Sequence, residues 1–330
     1  MRTRAKKLTV HTKRAFAIAR SSNDTFERVV FEVEHEGFTG RGEAAPSGRY
    51  GQDQNRAAGA LKGVEVGDPW DIEGTLRRNA GLPSAALSAL DCALHDLAAK
   101  RLGVPVYRLL GLGRPEPVSA YTLGIADRQT TVADAEGLEG FPILKVKLGG
   151  WGDVETLMAV RDVTDAQLWV DANEAFPPEE AVELARQLKG VVGMIEQPVS
   201  ASAGPEAMRR ITEAAHPVPV IADESALVAG DLPGLAGCVS GVNVKLSKCG
   251  GIRGALAMVH AARACGMKLM LGCMVETSLG IAAAAHVSGL FDFVDLDGAM
   301  LLADDPFAGP AYDRGRIILP EAPGLGAEPS

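Results

Sequence analysis

Between Ile143 and Cys249 the chain repeats one pattern: a short apolar run ends in a charged cluster, and a longer stretch with helical spacing follows. The clusters are Lys145-Val146-Lys147, Asp171-Ala172-Asn173, Glu196-Gln197-Pro198, Ala222-Asp223-Glu224-Ser225 and Asn243-Val244-Lys245-Leu246-Ser247-Lys248. From Lys147 to Asp171, Glu196, Asp223 and Lys245 the steps are 24, 25, 27 and 22 residues. Each step is the length of one strand, one helix and two loops. Leu168 to Val170, Val191 to Ile195 and Val218 to Ala222 read as parallel strands buried on both faces. Pro178 to Lys189 and Ile252 to Cys265 carry apolar residues at helical spacing. Strands alternating with helices predict a barrel, whose C-terminal strand ends surround one site.

Residues before about 118 break this rhythm. Lys7 to Thr12 and Val29 to Glu34 read as strands, and the turn-rich Gly40 to Pro46 closes a small meander. Ser84 precedes a helix over Ala85 to Lys100, with Leu87, Leu90, Leu94 and Leu97 along one stripe. Near Gly113 to Pro117 the pattern changes, and Val118 to Leu123 reads as the first barrel strand. Met267 to Leu271 and Phe291 to Leu296 supply the last two of eight strands. No eighth helix is expected, because Gly, Pro and Asp crowd residues 297 to 313. The expected organisation is an α+β domain over 1–117, a barrel over 118–310 and a tail over 311–330 that returns to the first domain.

With 330 residues, 47% of them apolar, the chain can bury a large core. A net charge of -9 argues against general nucleic-acid binding, which needs a positive surface. Five scattered cysteines without a CxxC pair indicate neither a disulfide framework nor a zinc site, and point to a reducing cytoplasm. The first 20 residues hold seven Lys or Arg and no acid, a superficial likeness to a transit peptide. Their alternation reads instead as a strand, and no long apolar span suggests a membrane segment. Barrel enzymes often form homo-oligomers, but the sequence carries no interface signature.

The clusters carry the chemistry. Asp171, Glu196 and Asp223 end three consecutive strands and offer only hard oxygen ligands, which suits Mg²⁺ better than a helix-capping role for each acid. Lys145 and Lys147 lie two apart on one strand and share a side, so their mutual repulsion is expected to lower one pKa toward that of a useful base. Lys245 and Lys248 end the sixth strand, across the barrel from Lys147. Opposed bases over a metal-bound carboxylate describe one reaction: a proton leaves the carbon α to the carboxylate, an enediolate forms, and a proton returns from the other side.

The ordered motifs KxK, DxN, EQP, ADES and NxKxxKxGG, with Ala89 to Leu97 and Leu109-Leu110-Gly111 before them, resemble the enolase superfamily, muconate-lactonizing subgroup. The resemblance covers nearly the whole chain. It implies an N-terminal α+β capping domain over a (β/α)7β TIM-like barrel, with Asp171, Glu196 and Asp223 holding Mg²⁺. It makes Lys147 and Lys245 the acid/base pair and Lys145 their neighbour, with Asn173, Glu224 and Lys248 secondary. Specificity loops are expected near 14–23 and 47–53, bringing Arg20, Arg49 and Tyr50 to the site.

Within the subgroup, Asp295-Leu296-Asp297 at the eighth strand and Gly272 to Thr277 after the seventh resemble dipeptide epimerases. Two carboxylates on one face suit a substrate ammonium. The resemblance implies an L-Ala-L-Glu/L-Ala-D-Glu type of substrate, with Thr122 and Met274 contacting it and Arg20 or Arg49 meeting a Glu side chain. Cys273 and Ser278 depart from the family's frequent Ser and Lys at those positions. An o-succinylbenzoate synthase or muconate cycloisomerase would share the metal and lysines but has no evident need for Asp295 and Asp297. A non-catalytic metal-binding barrel would need neither lysine.

Overall fold

The computed structural model describes residues 1–330. It opens with a three-stranded antiparallel sheet, β1 (Arg2–Ile18), β2 (Ser21–His35) and β3 (Phe38–Ala44), followed by helices α1 (Gln54–Lys62), α2 (Ile72–Arg78), α3 (Ser84–Leu102) and α4 (Val106–Leu109). The leucine stripe of α3 drives this layer together: Leu90, Leu94 and Leu97 pack with Val29, Phe31 and Val33 in one apolar cluster. The contact is close because Gly40 and Gly42 face the helix. A Cβ on either would fall 2.1 Å from the carbonyl oxygen of Ala93 or Ala89.

The barrel follows as β4 (Tyr121–Leu123), α5 (Arg128–Glu136), β5 (Ile143–Lys147), α6 (Trp151–Val163), β6 (Gln167–Asp171), α7 (Pro178–Gln187), β7 (Met194–Glu196), α8 (Gly204–Ala215), β8 (Val220–Ala222), α9 (Leu232–Leu235), β9 (Gly241–Lys245), α10 (Leu246–Cys249), α11 (Ile252–Ala264), β10 (Lys268–Gly272), α12 (Ser278–Ala285) and β11 (Phe293–Asp295). The eight strands pair in sequence order, all parallel. Alternation sorts each strand. Leu144, Val146, Leu168, Val170, Val242 and Val244 join the large core under the helices. Trp169, Met194, Ile221, Met270 and Ala120 form a separate plug inside the barrel. Two residues beyond Trp169, Met194 and Ile221 the inward positions become the acids Asp171, Glu196 and Asp223, whereas Met270 and Ala120 are followed by Gly272 and Thr122.

β4 and β11 close the ring at a seam with sparse backbone pairing. The Ala120 N–H donates to the Val294 carbonyl at 3.0 Å. Side chains supply further links: Ser119 Oγ accepts the Leu296 N–H at 2.7 Å, and an Asp297 oxygen accepts the Thr122 N–H at 2.6 Å.

Two expected elements differ. The first barrel strand does not start at Val118, because Val118 bridges to Arg316 and the Ser119 N–H bonds to Gly315 in the tail hairpin. The stretch 14–23 is not an open loop but the far end of the β1–β2 hairpin. A register shift between His11 and Phe16 and the polar tip hide it from a periodicity reading. No helix of the chain is long and apolar enough to cross a membrane.

His286, at the end of α12, ties three segments. Its Nδ1 accepts the Tyr107 N–H and its Nε2 donates to the Leu325 carbonyl, both at 3.2 Å, so the native ring is neutral. Burial holds its pKa down at about 4, against an ordinary 6.5. The unfolded chain therefore takes up this proton first. The His286 contribution is present in full above pH 6.5 and is lost as pH falls through 4, amounting to about 3 kcal/mol. Urea unfolding of wild type and His286→Gln across this window should show the wild type losing the extra stability on acidification and the variant lacking that slope.

Candidate active site

The strand ends converge on a cavity of about 470 Å³ between the barrel mouth and the capping domain. Lys147 ends β5, Lys245 ends β9, and four strand positions separate them in the ring of eight, so they stand on opposite sides. Both line the cavity, with Lys145, Asp223, Thr122, Asp295 and Asp297. Arg20, Arg49, Tyr50, Asn173 and Met274 also face it. Asp171 and Glu196 sit immediately behind, fully buried and paired in register on β6 and β7. Glu224 and Lys248 lie outside the lining, behind Arg20 and Asp223 respectively.

Charge pairing dominates this region. The Lys145 ammonium lies 2.6 Å from Glu196, 2.6 Å from Asp295 and 3.3 Å from Asp171. Lys147 donates to Asp171 at 2.6 Å and Lys245 to Asp223 at 2.8 Å. Burial works to raise the Asp171 carboxyl, but Lys147, Lys145 and Lys245 hold it down at about 2. Asp223 is likewise held well below the usual range, by Lys245 and Lys248 against burial. Glu196 goes the other way: burial, with Asp171 beside it, pushes it up to about 7. Asp297 is also pushed up to about 7, by burial and by Asp295.

At Lys145 the structure runs against a lowered pKa. Burial does act to lower the Lys145 pKa, yet Asp295, Glu196 and Asp171 raise it well above that of an ordinary lysine. Acids from other strands, invisible in a two-residue motif, outweigh burial. Lys245 is raised for a similar reason, with Asp223 and Glu196 overcoming burial.

Lys248 also departs from its expected place. It lies on α10, beyond the strand end, and its buried ammonium donates to the carbonyls of Asp223 at 2.8 Å, Asn243 at 3.0 Å and Ala226 at 3.1 Å, as well as to the Asp223 carboxylate. All its protons are engaged, so it anchors Asp223 rather than facing Lys147 as a base.

Arg20 and Arg49 are not free loop arginines. At the hairpin tip, Arg20 donates to Glu224 at 2.6 Å and to the Asn173 carbonyl at 2.9 Å. Arg49 makes a two-pronged contact with Glu174, both distances 2.9 Å. Tyr50 is raised above an ordinary phenol by burial and by Asp223. Thus the capping domain is latched to the ends of β6 and β8 by ion pairs.

Sequence reasoning missed several parts. Phe16, Phe26, Val275 and Leu301 form an apolar wall, drawn from the hairpin and the loops after β10 and β11. Asn243 donates to Glu196 at 2.7 Å, and its position two residues before Lys245 on one strand could have revealed it. Arg28 reaches from β2 to the Val275 carbonyl at 2.8 Å, beside the buried acid Glu43. Neither residue carries a local signal of its place at the site, because the loop residues they bond there, Val275 for Arg28 and Thr277 for Glu43, lie more than 200 positions away.

The donor chemistry of Asp171, Glu196 and Asp223 fits a small hard cation. All three are oxygen ligands, and Glu196 Oε2 is buried without a hydrogen-bond donor although Lys145 stands close to it. The carboxylates do not close on a single point in this conformation, where each holds a lysine instead.

Two family models match the chain. Residues 2–111 match the mandelate racemase/muconate lactonizing enzyme N-terminal domain, and residues 128–330 match the enolase C-terminal domain-like model. The chain belongs to the enolase superfamily. This superfamily member is 39% identical over 325 residues to the L-Ala-D/L-Glu epimerase of Bacteroides thetaiotaomicron, covering 95% of this chain and 84% of that protein. It is 39% identical over 312 residues to the L-Ala-D/L-Glu epimerase of Escherichia coli, covering 92% and 95%. Its fold superposes with a TM-score of 0.92 on the dipeptide epimerase of Enterococcus faecalis in complex with Mg and L-Leu-L-Tyr, at 29% identity and 98% coverage of both chains.

Removing the Lys248 ammonium leaves one buried Asp223 oxygen without its cation, although Lys245 still holds the other, and takes a donor from three carbonyls. Lys248→Met should therefore lose about 3–5 kcal/mol in urea unfolding.

Proposed function

We propose that this chain is a metal-dependent dipeptide epimerase that moves a proton on and off the α-carbon of the C-terminal residue, with L-Ala-L-Glu and L-Ala-D-Glu as its type of substrate. The observation that carries the proposal is the placement of Lys147 and Lys245 on opposite walls of one cavity whose third side holds Asp295 and Asp297. The names of the relatives support it. A substrate α-carbon between the lysines meets one ammonium or amine on each face. The neutral lysine accepts the α-proton at its Nζ, and the protonated one donates from the other side, which inverts the centre. Asp295 and Asp297 receive the α-ammonium of the first residue, through charge-assisted hydrogen bonds. Thr122 lies beside them, its N–H fixing Asp297. Arg20 and Arg49 line the same cavity and would meet an acidic second side chain there, held from behind by Glu224 and Glu174.

The residues that would hold the metal are Asp171, Glu196 and Asp223, and Mg²⁺ is the ion proposed. When bound there, a divalent cation would draw off negative charge developing on the substrate carboxylate as the α-proton leaves. The capping hairpin and the apolar wall around Phe16 and Leu301 shield the reacting carbon from water.

Incubation with Mg²⁺ and L-Ala-L-Glu in D₂O should place deuterium at the α-carbon of Glu and yield L-Ala-D-Glu, read by mass spectrometry and chiral chromatography. Lys147→Ala and Lys245→Ala should each lower interconversion at least about 100-fold, while each retains exchange from at most one epimer. Wild-type rates in both variants would remove the lysines from the mechanism.

The carboxylate pair gives a separate handle. Asp297→Asn should raise KM for L-Ala-L-Glu about tenfold with kcat within about threefold, and N-acetyl-L-Ala-L-Glu should be a poor substrate of the wild type. Equal turnover of the acetylated and free dipeptides would assign Asp295 and Asp297 another role.

A further inference from the structure

Immediately after the proposed metal ligands the backbone enters an uncommon conformation. Asn173, Glu174 and Gln197 have φ of 43°, 70° and 34°, in the left-handed region that residues with a side chain rarely adopt. Such strain persists only where the surroundings over-determine it. At Gln197 the surroundings are visible. Its side chain is completely buried, although it is neither charged nor in contact with the cavity.

Every hydrogen-bonding group of Gln197 is used. Its N–H donates to the Ile221 carbonyl on β8 at 2.9 Å, and its carbonyl accepts the Glu174 N–H, beyond β6, at 2.9 Å. Its Oε1 accepts the N–H groups of Asp223 at 2.8 Å and Ser225 at 3.2 Å. Its Nε2 donates to the Val199 carbonyl at 2.8 Å and to Ser225 Oγ at 2.9 Å. One amide orientation alone satisfies these partners, with oxygen toward the two N–H groups and nitrogen toward the two oxygens. Gln197 therefore stitches together the ends of β6, β7 and β8, the three backbones from which Asp171, Glu196 and Asp223 project.

We propose that Gln197 is a positioning residue that sets the mutual placement of the three carboxylates for a divalent cation, through the backbone and without touching the cation. The inference rests on the metal reading above. The side chains nearest in size or chemistry do not replace it in full. Methionine matches its length but offers no hydrogen bonds, asparagine is one methylene short, and glutamate has no donor for Val199.

The test is isothermal titration of MgCl₂ into EDTA-treated full-length protein, alongside far-UV circular dichroism and thermal unfolding. Gln197→Met should raise the Mg²⁺ Kd at least about tenfold. Ser225→Ala, which removes one partner of the amide, should raise it about threefold. Leu184→Ala opens a cavity in buried α7, lowers thermal stability, and should leave Kd within about twofold of wild type. In turnover assays at saturating Mg²⁺, kcat of Gln197→Met should recover while its half-saturating Mg²⁺ stays raised. A Kd for Gln197→Met within twofold of wild type overturns the inference, as does a Leu184→Ala Kd raised just as much. If Gln197→Met does not fold, Ser225→Ala decides, and an unchanged Kd there overturns it. A wild type that binds no Mg²⁺ removes the metal reading itself, an outcome distinct from wild-type binding with unaffected variants.

Discussion

The architecture depends on one electrostatic constraint: charges buried in the barrel must neutralise one another. Asp171, Glu196, Asp223, Asp295 and Asp297 are opposed by Lys145, Lys147, Lys245 and Lys248, and all nine are buried. An unpaired ion at such depth is strongly destabilising, so the charged strand ends are fixed by partners on other strands. Lys145 is the centre of this arrangement, touching acids from β6, β7 and β11 at once. It holds apart carboxylates that would otherwise repel. Chemistry and stability thus use the same side chains.

Alternation makes that compatible with a packed core. The outward residues feed the helix layer, while on most strands the inward ones change from apolar at the bottom to ionic at the top. The plug of Trp169, Met194, Ile221 and Met270 seals the lower half, so the upper half can be polar without opening a channel. β4 and β11, the closing strands, are where this division is least complete. There the ring is joined partly by Ser119 and Asp297 rather than by a full ladder of backbone bonds.

Much of this could be read along the chain. The spacing of Lys147, Asp171, Glu196, Asp223 and Lys245 is the repeat of a βα unit, and parallel barrel topology converts that spacing into convergence. The charged ends were therefore legible as one site. The sign of the Lys145 pKa was not, because it follows from Asp295 and Glu196, which lie on distant strands. Likewise, Lys248 lies only three residues past Lys245, but one turn of α10 swings it behind Asp223. The hairpin tip carrying Arg20 had no periodicity to betray it, since its strands extend past the apolar stretch that faces a core. Its place became visible only with Glu224, 204 positions away.

The latch made by Arg20 and Arg49 joins two stretches that lie in separate layers of the fold. Residues before about 55 supply the cavity's roof, and residues after about 120 supply every lysine and carboxylate named in proton transfer and metal binding. A substitution in the hairpin tip can redraw what the roof accepts while leaving the floor untouched. Glu174 and Glu224, however, are rooted in the floor and grip the roof, so a change of charge at Arg20 or Arg49 is felt by its acid below. Exchanging both members of a pair across that boundary keeps the latch, whereas changing one member leaves its partner's charge uncompensated.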